Sequence, residues 1–124
     1  MKKRKIVRCS KCHKIKAVKE GEMIPVCCGE EMKELTLNTD ESLEDTHLPV
    51  IARKDGKLYA YAGAYAHPME ADHYIEAMIM ESETSDRVVY FKPGEEAKVP
   101  FVPGEAVMAV YAYCSKDGLW KTEI

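Results

Sequence analysis

The 124-residue sequence contains no run approaching the roughly 20 consecutive apolar residues that a membrane-spanning helix needs, so neither a membrane helix nor a membrane partner is expected. Its first residues, MKKRKIVRCSKC, lack the apolar stretch and small-residue cleavage site of a secretory signal, and the expected compartment is the cytoplasm. No internal repeat or low-complexity tract is present, which excludes repeat architectures. No segment reads as a credible long helix, which excludes a helical bundle. Aliphatic bulk is scarce in residues 1–36, where the larger apolar members are Ile6, Val7, Ile15, Val18, Ile24, Val26 and Leu35. A unit under ~40 residues rarely folds on so little without a metal or disulfides.

What the chain does have is charge, in an uneven distribution. Charged residues make up 31% and hydrophobic ones 46%, which fits one globular domain with a small appendage rather than a disordered chain. Residues 1–20 hold nine Lys/Arg and one acid, Glu20, and the remainder of the chain is strongly acidic. A basic arm raises the possibility of nucleic acid, but this one has no interleaved aromatic and sits against cysteines. Charge balance for an anionic metal–thiolate group, or a dock for an acidic protein, accounts for it better, and no nucleic-acid partner is expected.

The five cysteines are an odd number and unevenly spaced. Cys9 and Cys12 form a C-x2-C, Cys27 and Cys28 are adjacent and followed by Gly29, and Cys114 stands alone near the end. In a reducing compartment this reads as metal binding before disulfide formation. Four thiolates suit zinc or a single iron. Adjacent residues in extended backbone point opposite ways, so two neighbouring ligands demand an irregular backbone, which Pro25 and Gly29 can frame. The alternatives are buried free thiols or a vicinal disulfide. Residues 37–46, LNTDESLEDT, read as an acidic linker between a domain at 1–36 and a second at 47–124.

From His47 onward, short runs with β-branched or aromatic content follow one another: HLPVIA, KLYAYAGAYA, HYIEAMIM, RVVYFK, AKVPFV and EAVMAVYAYC. Turn pairs punctuate them at Asp55-Gly56, Pro93-Gly94, Pro103-Gly104 and Asp117-Gly118. This spacing predicts an all-β sandwich. The stretch HPMEADHYIEAM is expected as a loop leading into a strand, because Pro68 interrupts it early. Tyr59, Tyr61, Tyr65, Tyr111 and Tyr113 are expected on sheet faces or in the core. His13 is expected to be exposed within the knuckle, whereas His47, His67 and His73 each fall where a polar loop meets a strand. Cys114 ends the last strong strand. Taken singly these are surface or core residues. Brought together, three imidazoles and a thiolate can hold iron, zinc or copper.

At these residues the sequence resembles the desulfoferrodoxin / superoxide reductase family, nearly end to end. C-x2-C followed by CCG is similar to the family's small desulforedoxin-type domain, and HLPVI, AHPMEADHYIE and YCSKDGLWK are similar to the segments that supply its catalytic iron ligands. The resemblance implies an immunoglobulin-like β-sandwich behind a metal-stapled N-terminal domain. It implies one iron (or zinc) on Cys9, Cys12, Cys27 and Cys28, and a second iron with His47, His67 and His73 in a plane and Cys114 axial. It also implies one-electron reduction of superoxide to hydrogen peroxide without dioxygen, a rubredoxin-like electron donor, and a homodimer or homotetramer.

The chain departs from the family pattern in three places. A histidine usually follows the axial cysteine by three residues, and here that residue is Asp117. A carboxylate oxygen stands about as far from Cβ as the nearer ring nitrogen does, so Asp117 is a candidate ligand. The other reading is that it only opens an Asp-Gly turn, leaving a set that also suits tetrahedral zinc. The family often carries Glu-Lys before the first histidine, and here the pair is Asp45-Thr46. Asp45 keeps the charge with less reach and is a candidate to position water. Thr46 brings no charge, and Lys116 is a candidate substitute for attracting superoxide, its plain reading being a solvated turn lysine. The rival functional expectations are a non-catalytic iron- or zinc-binding or electron-transfer protein of the same family and, more weakly, a zinc-knuckle nucleic-acid module.

Overall fold

A computed structural model describes residues 4–64, 67–83 and 85–124. The chain divides into two compact units, Met1–Thr36 and Leu37–Ile124. In the first, β1 (Arg4–Arg8) pairs antiparallel with β2 (Ile15–Lys19), and two further short strands, β3 (Val26–Cys27) and β4 (Glu30–Glu31), form a hairpin of their own. β5 (Lys33–Glu34) joins the other edge of β1. Val7, Cys9, Val18 and Met32 make the small core, while Met23 and Val26 are exposed, so the apolar residues do not all turn inward.

The second unit opens with a 3-10 turn at Glu41–Leu43 and a four-residue helix, α1 (Glu44–His47). The strands follow as β6 (Val50–Lys54), β7 (Lys57–Tyr61), β8 (Ile75–Ser82), β9 (Asp86–Tyr90), β10 (Lys98–Pro100), β11 (Val107–Cys114) and β12 (Gly118–Glu123). They form two sheets, ordered β10-β7-β6 and β12-β11-β8-β9. Ala60 and Val99 from the first sheet share one buried cluster with Met78, Met80, Val110 and Ala112 from the second, so the unit is a β-sandwich. The β6–β7 hairpin turns on Asp55 (φ +52°) and Gly56 (φ +78°), the two-residue turn that an Asp-Gly pair favours. No helix among the described residues is long and apolar enough to cross a membrane.

Two local expectations change. Residues 37–46 do not form a free linker. Leu37 bridges Leu119, the Asn38 N–H donates to the Leu119 carbonyl (2.7 Å), and Asp40 caps the 3-10 turn through the Ser42 N–H (3.0 Å). Polar residues here satisfy turn and cap hydrogen bonds instead of facing water throughout. His47 ends a helical turn rather than a loop. Tyr65 lies outside the described residues. The segment 67–74 is non-helical before β8, as Pro68 leads one to expect.

Candidate metal centres

The first group of donors forms where a knuckle meets a hairpin. Cys9 directly follows β1, and Cys12 lies in a turn closed by the His13 N–H donating to the Cys9 carbonyl (2.9 Å). His13 is exposed at φ +67°. On the other side Cys28 takes φ +52° and Gly29 φ +81°. This left-handed step is the irregular backbone that lets neighbouring cysteines turn toward one point. The Sγ atoms of Cys12 and Cys27 are 3.5 Å apart and those of Cys27 and Cys28 are 3.9 Å apart, and all four cysteines are free thiols. Metal–sulfur bonds of about 2.3 Å place the corners of a tetrahedron about 3.8 Å apart, so the group fits a tetrahedral ion. The Cys12 N–H donates to the Cys9 sulfur (3.4 Å) and is the main reason its thiol is lowered to about 6. Cys27 is raised to about 12, chiefly by its hydrogen bond with the Cys12 side chain, and Cys28 is raised for the same reason. Four sulfurs this close do not all ionise unless a cation offsets their charge.

The second group is built by three segments of the sandwich. α1 presents His47, which is 3% exposed. The loop before β8 presents His67 and His73. Its end is closed by reciprocal backbone hydrogen bonds between Glu70 and His73 (both 3.0 Å). The β11–β12 turn presents Cys114 and Asp117, and the Asn38 side-chain amide donates to the Asp117 carbonyl (2.7 Å). Asn38 and Thr46 are site residues that composition gave no means of finding, because Asn38 sits in a linker-like stretch and Thr46 stood out only for the charge it lacks.

The donor atoms of His47, His67, His73, Cys114 and Asp117 lie within 4.8 Å of one another. His47 Nε2 is 2.9 Å from His67 Nε2 and 3.0 Å from Asp117 Oδ2, which is 3.2 Å from His73 Nε2. With metal–nitrogen bonds of about 2.1 Å, neighbouring corners of a square stand about 3.0 Å apart and those of a tetrahedron about 3.4 Å. The two shorter spacings match a square, and the third lies between the two shapes. The rings agree, since His47 and His73 are nearly parallel at 6.3 Å, while His67 is edge-on to both at 4.4 and 4.8 Å. His47 therefore faces His73, and His67 faces Asp117. Cys114 Sγ is 3.4 Å from His67 Nε2 and 3.9 Å from Asp117 Oδ2, near both ends of one diagonal, where a capping donor sits.

Hydrogen bonds aim these donors. Pro68 O accepts from His67 Nδ1 (2.6 Å) and Leu43 O from His47 Nδ1 (2.9 Å), which leaves each Nε2 free toward the group. Burial pushes the His67 imidazole down and the Cys114 thiol up, while the backbone N–H groups of Lys116 and Asp117 favour the thiolate. Trp120 stacks on His47 with ring centres 5.2 Å apart. Asp45 and Lys116 are exposed and are not among the five grouped donors.

The family model described as desulfoferrodoxin matches residues 39–123. The chain belongs to the desulfoferrodoxin family. It is 35% identical to a desulfoferrodoxin homolog of Archaeoglobus fulgidus, with 94% of each chain covered. It is 33% identical to the desulfoferrodoxin of Desulfarculus baarsii, covering 95% of this chain and 94% of that one. In fold it is similar to the superoxide reductase of Treponema pallidum, with a TM-score of 0.77, 17% identity and 98% of each chain covered. The superoxide reductase of Nanoarchaeum equitans is similar at a TM-score of 0.50 and 27% identity, over 72% of this chain and 98% of that one.

Proposed function

We propose that this desulfoferrodoxin reduces superoxide at iron held by His47, His67, His73, Cys114 and Asp117, with a second iron on the four N-terminal cysteines. The observation that carries the reading is the spacing of the five donors, a square with a capping sulfur, which leaves the face opposite Cys114 free of the grouped donors. A five-donor set of this shape suits iron better than tetrahedral zinc. Bound there, iron supplies one electron to superoxide, which takes up two protons and leaves as hydrogen peroxide.

The chain's own groups divide the remaining work. The three imidazoles are neutral donors, and the Cys114 and Asp117 side chains each bring a negative charge that offsets the cation. Burial of His47 and Cys114 keeps water from competing for those donors. Asp45 orders water for proton delivery, and Lys116 adds positive charge beside the Asp117 turn. Both are exposed, as groups acting through solvent must be. Electrons enter from a small acidic donor of rubredoxin type, which the basic strands of the first unit attract.

The test is to load the protein with iron, reduce it, and mix it with superoxide while following peroxide and dioxygen. One peroxide per superoxide without dioxygen supports the reading. No reaction above the metal-free control contradicts it and leaves a metal-binding protein without reductase activity.

A further inference from the structure

His47 is held by two groups on its far nitrogen and by a third on one ring face. Its Nδ1 lies 2.9 Å from Leu43 O and 2.9 Å from Thr46 Oγ1, and the indole of Trp120 covers one face of the ring. His67 Nδ1, by comparison, has Pro68 O as its hydrogen-bond partner.

A neutral imidazole carries one N–H, and a carbonyl can only accept. The Leu43 carbonyl therefore requires the His47 proton on Nδ1, which leaves the Nε2 lone pair facing the donor group. A hydroxyl can act either way. If Thr46 donated to Nδ1, the proton would move to Nε2 and block ligation by the neutral ring. Thr46 Oγ1 is also 3.4 Å from Leu43 O, and the hydroxyl proton goes to that carbonyl. Its lone pair then remains available to the Nδ1–H. The three groups close a small ring of hydrogen bonds that is consistent in only one sense. Acceptors on the far nitrogen of a ligating histidine fix the ring and raise its basicity.

We propose that Thr46 is a positioning residue. Its hydroxyl, together with the Leu43 carbonyl, locks His47 as the Nδ1–H tautomer and strengthens Nε2 as a metal donor. The proposal rests on the metal-binding reading of the second group and concerns affinity and potential rather than turnover.

The test compares the full-length wild type with Thr46→Val, which keeps the shape but loses the hydroxyl, and Thr46→Ser, which keeps the hydroxyl. Cobalt(II) is titrated into each against a competing chelator. Tetrahedral four-thiolate cobalt and cobalt in the mixed donor set absorb differently, so the two centres are read separately. Thr46→Val is expected to lose about tenfold or more in cobalt affinity at the second centre alone. Thr46→Ser is expected to keep wild-type affinity. With iron, the midpoint potential of the second centre should rise in Thr46→Val and stay unchanged in Thr46→Ser, because weaker donation favours the ferrous ion.

A direct check that needs no variant is the long-range nitrogen–proton correlation of His47 in the metal-free wild type, which should report protonated Nδ1. Equal affinity and potential in Thr46→Val, or a protonated Nε2 in the wild type, would overturn the role of Thr46 alone. Absence of cobalt at the second centre of the wild type would overturn the metal reading beneath it.

Discussion

In the proposed iron site, Asp117 sets the charge of the donor group. With neutral imidazoles, a thiolate and a carboxylate, a divalent ion there is electrically balanced, whereas a histidine at 117 would leave it one positive charge richer. The oxidised ion gains more from the extra negative charge than the reduced one. Asp117→His is therefore expected to raise the midpoint potential of the second iron while leaving that of the four-cysteine iron in place, as a redox titration followed by spectrum would record. An ion pair outside the donor group gives a pH prediction. Arg87 forks onto Glu105 (3.0 and 2.8 Å) and holds its carboxyl below the usual range. The stabilisation is therefore full above the ordinary carboxylate pKa and is lost as pH falls through the lower folded value. Glu105→Gln should cost below about 1 kcal/mol near neutrality, since water still reaches Arg87. The difference from wild type should vanish in acid, as denaturant melts at several pH values would show.

At the scale of elements, the position of α1 depends on Gly63. A Cβ at Gly63 would stand 2.8 Å from Thr46 Cα and closer still to its carbonyl group. Gly63→Ala must therefore push α1 away, at a cost of about 1–3 kcal/mol, and carry His47 out of the square. Metal counting after chelator challenge should find the second centre depleted and the four-cysteine centre full. Sequence reasoning could not see this contact, because a glycine in a loop signals a turn as readily as a close approach. It misread residues 37–46 for a similar reason, since LNTDESLEDT has the composition of a linker and of a capped turn alike. The strands, by contrast, were legible. β8 is buried along its whole length and β11 along most of it, with Glu76, Glu81 and Ser82 as the polar residues of β8, and the Asp-Gly and Pro-Gly pairs marked breaks between strands.

At the scale of the whole molecule, the two units depend on different forces. The second has a two-sheet core with Trp120, Ile79 and Met80 almost fully buried. The first has a handful of buried side chains around Cys9, and its four-cysteine group takes the place of a larger core. Strong chelation is therefore expected to unfold residues 1–36 while the sandwich keeps its amide dispersion in a heteronuclear correlation spectrum. The first cysteine group was readable from spacing alone, because C-x2-C and CCG place four sulfurs within 20 residues. The second was not, since its donors span residues 47 to 117 and only the fold, or a resemblance to proteins of known fold, brings them together. The most direct test of the account is anomalous diffraction at the iron edge from crystals of the iron-loaded protein. The account predicts a second iron bonded to Asp117 Oδ2 as well as to His47, His67, His73 and Cys114. An iron bound by the imidazoles and thiolate with the Asp117 carboxylate turned away would contradict it.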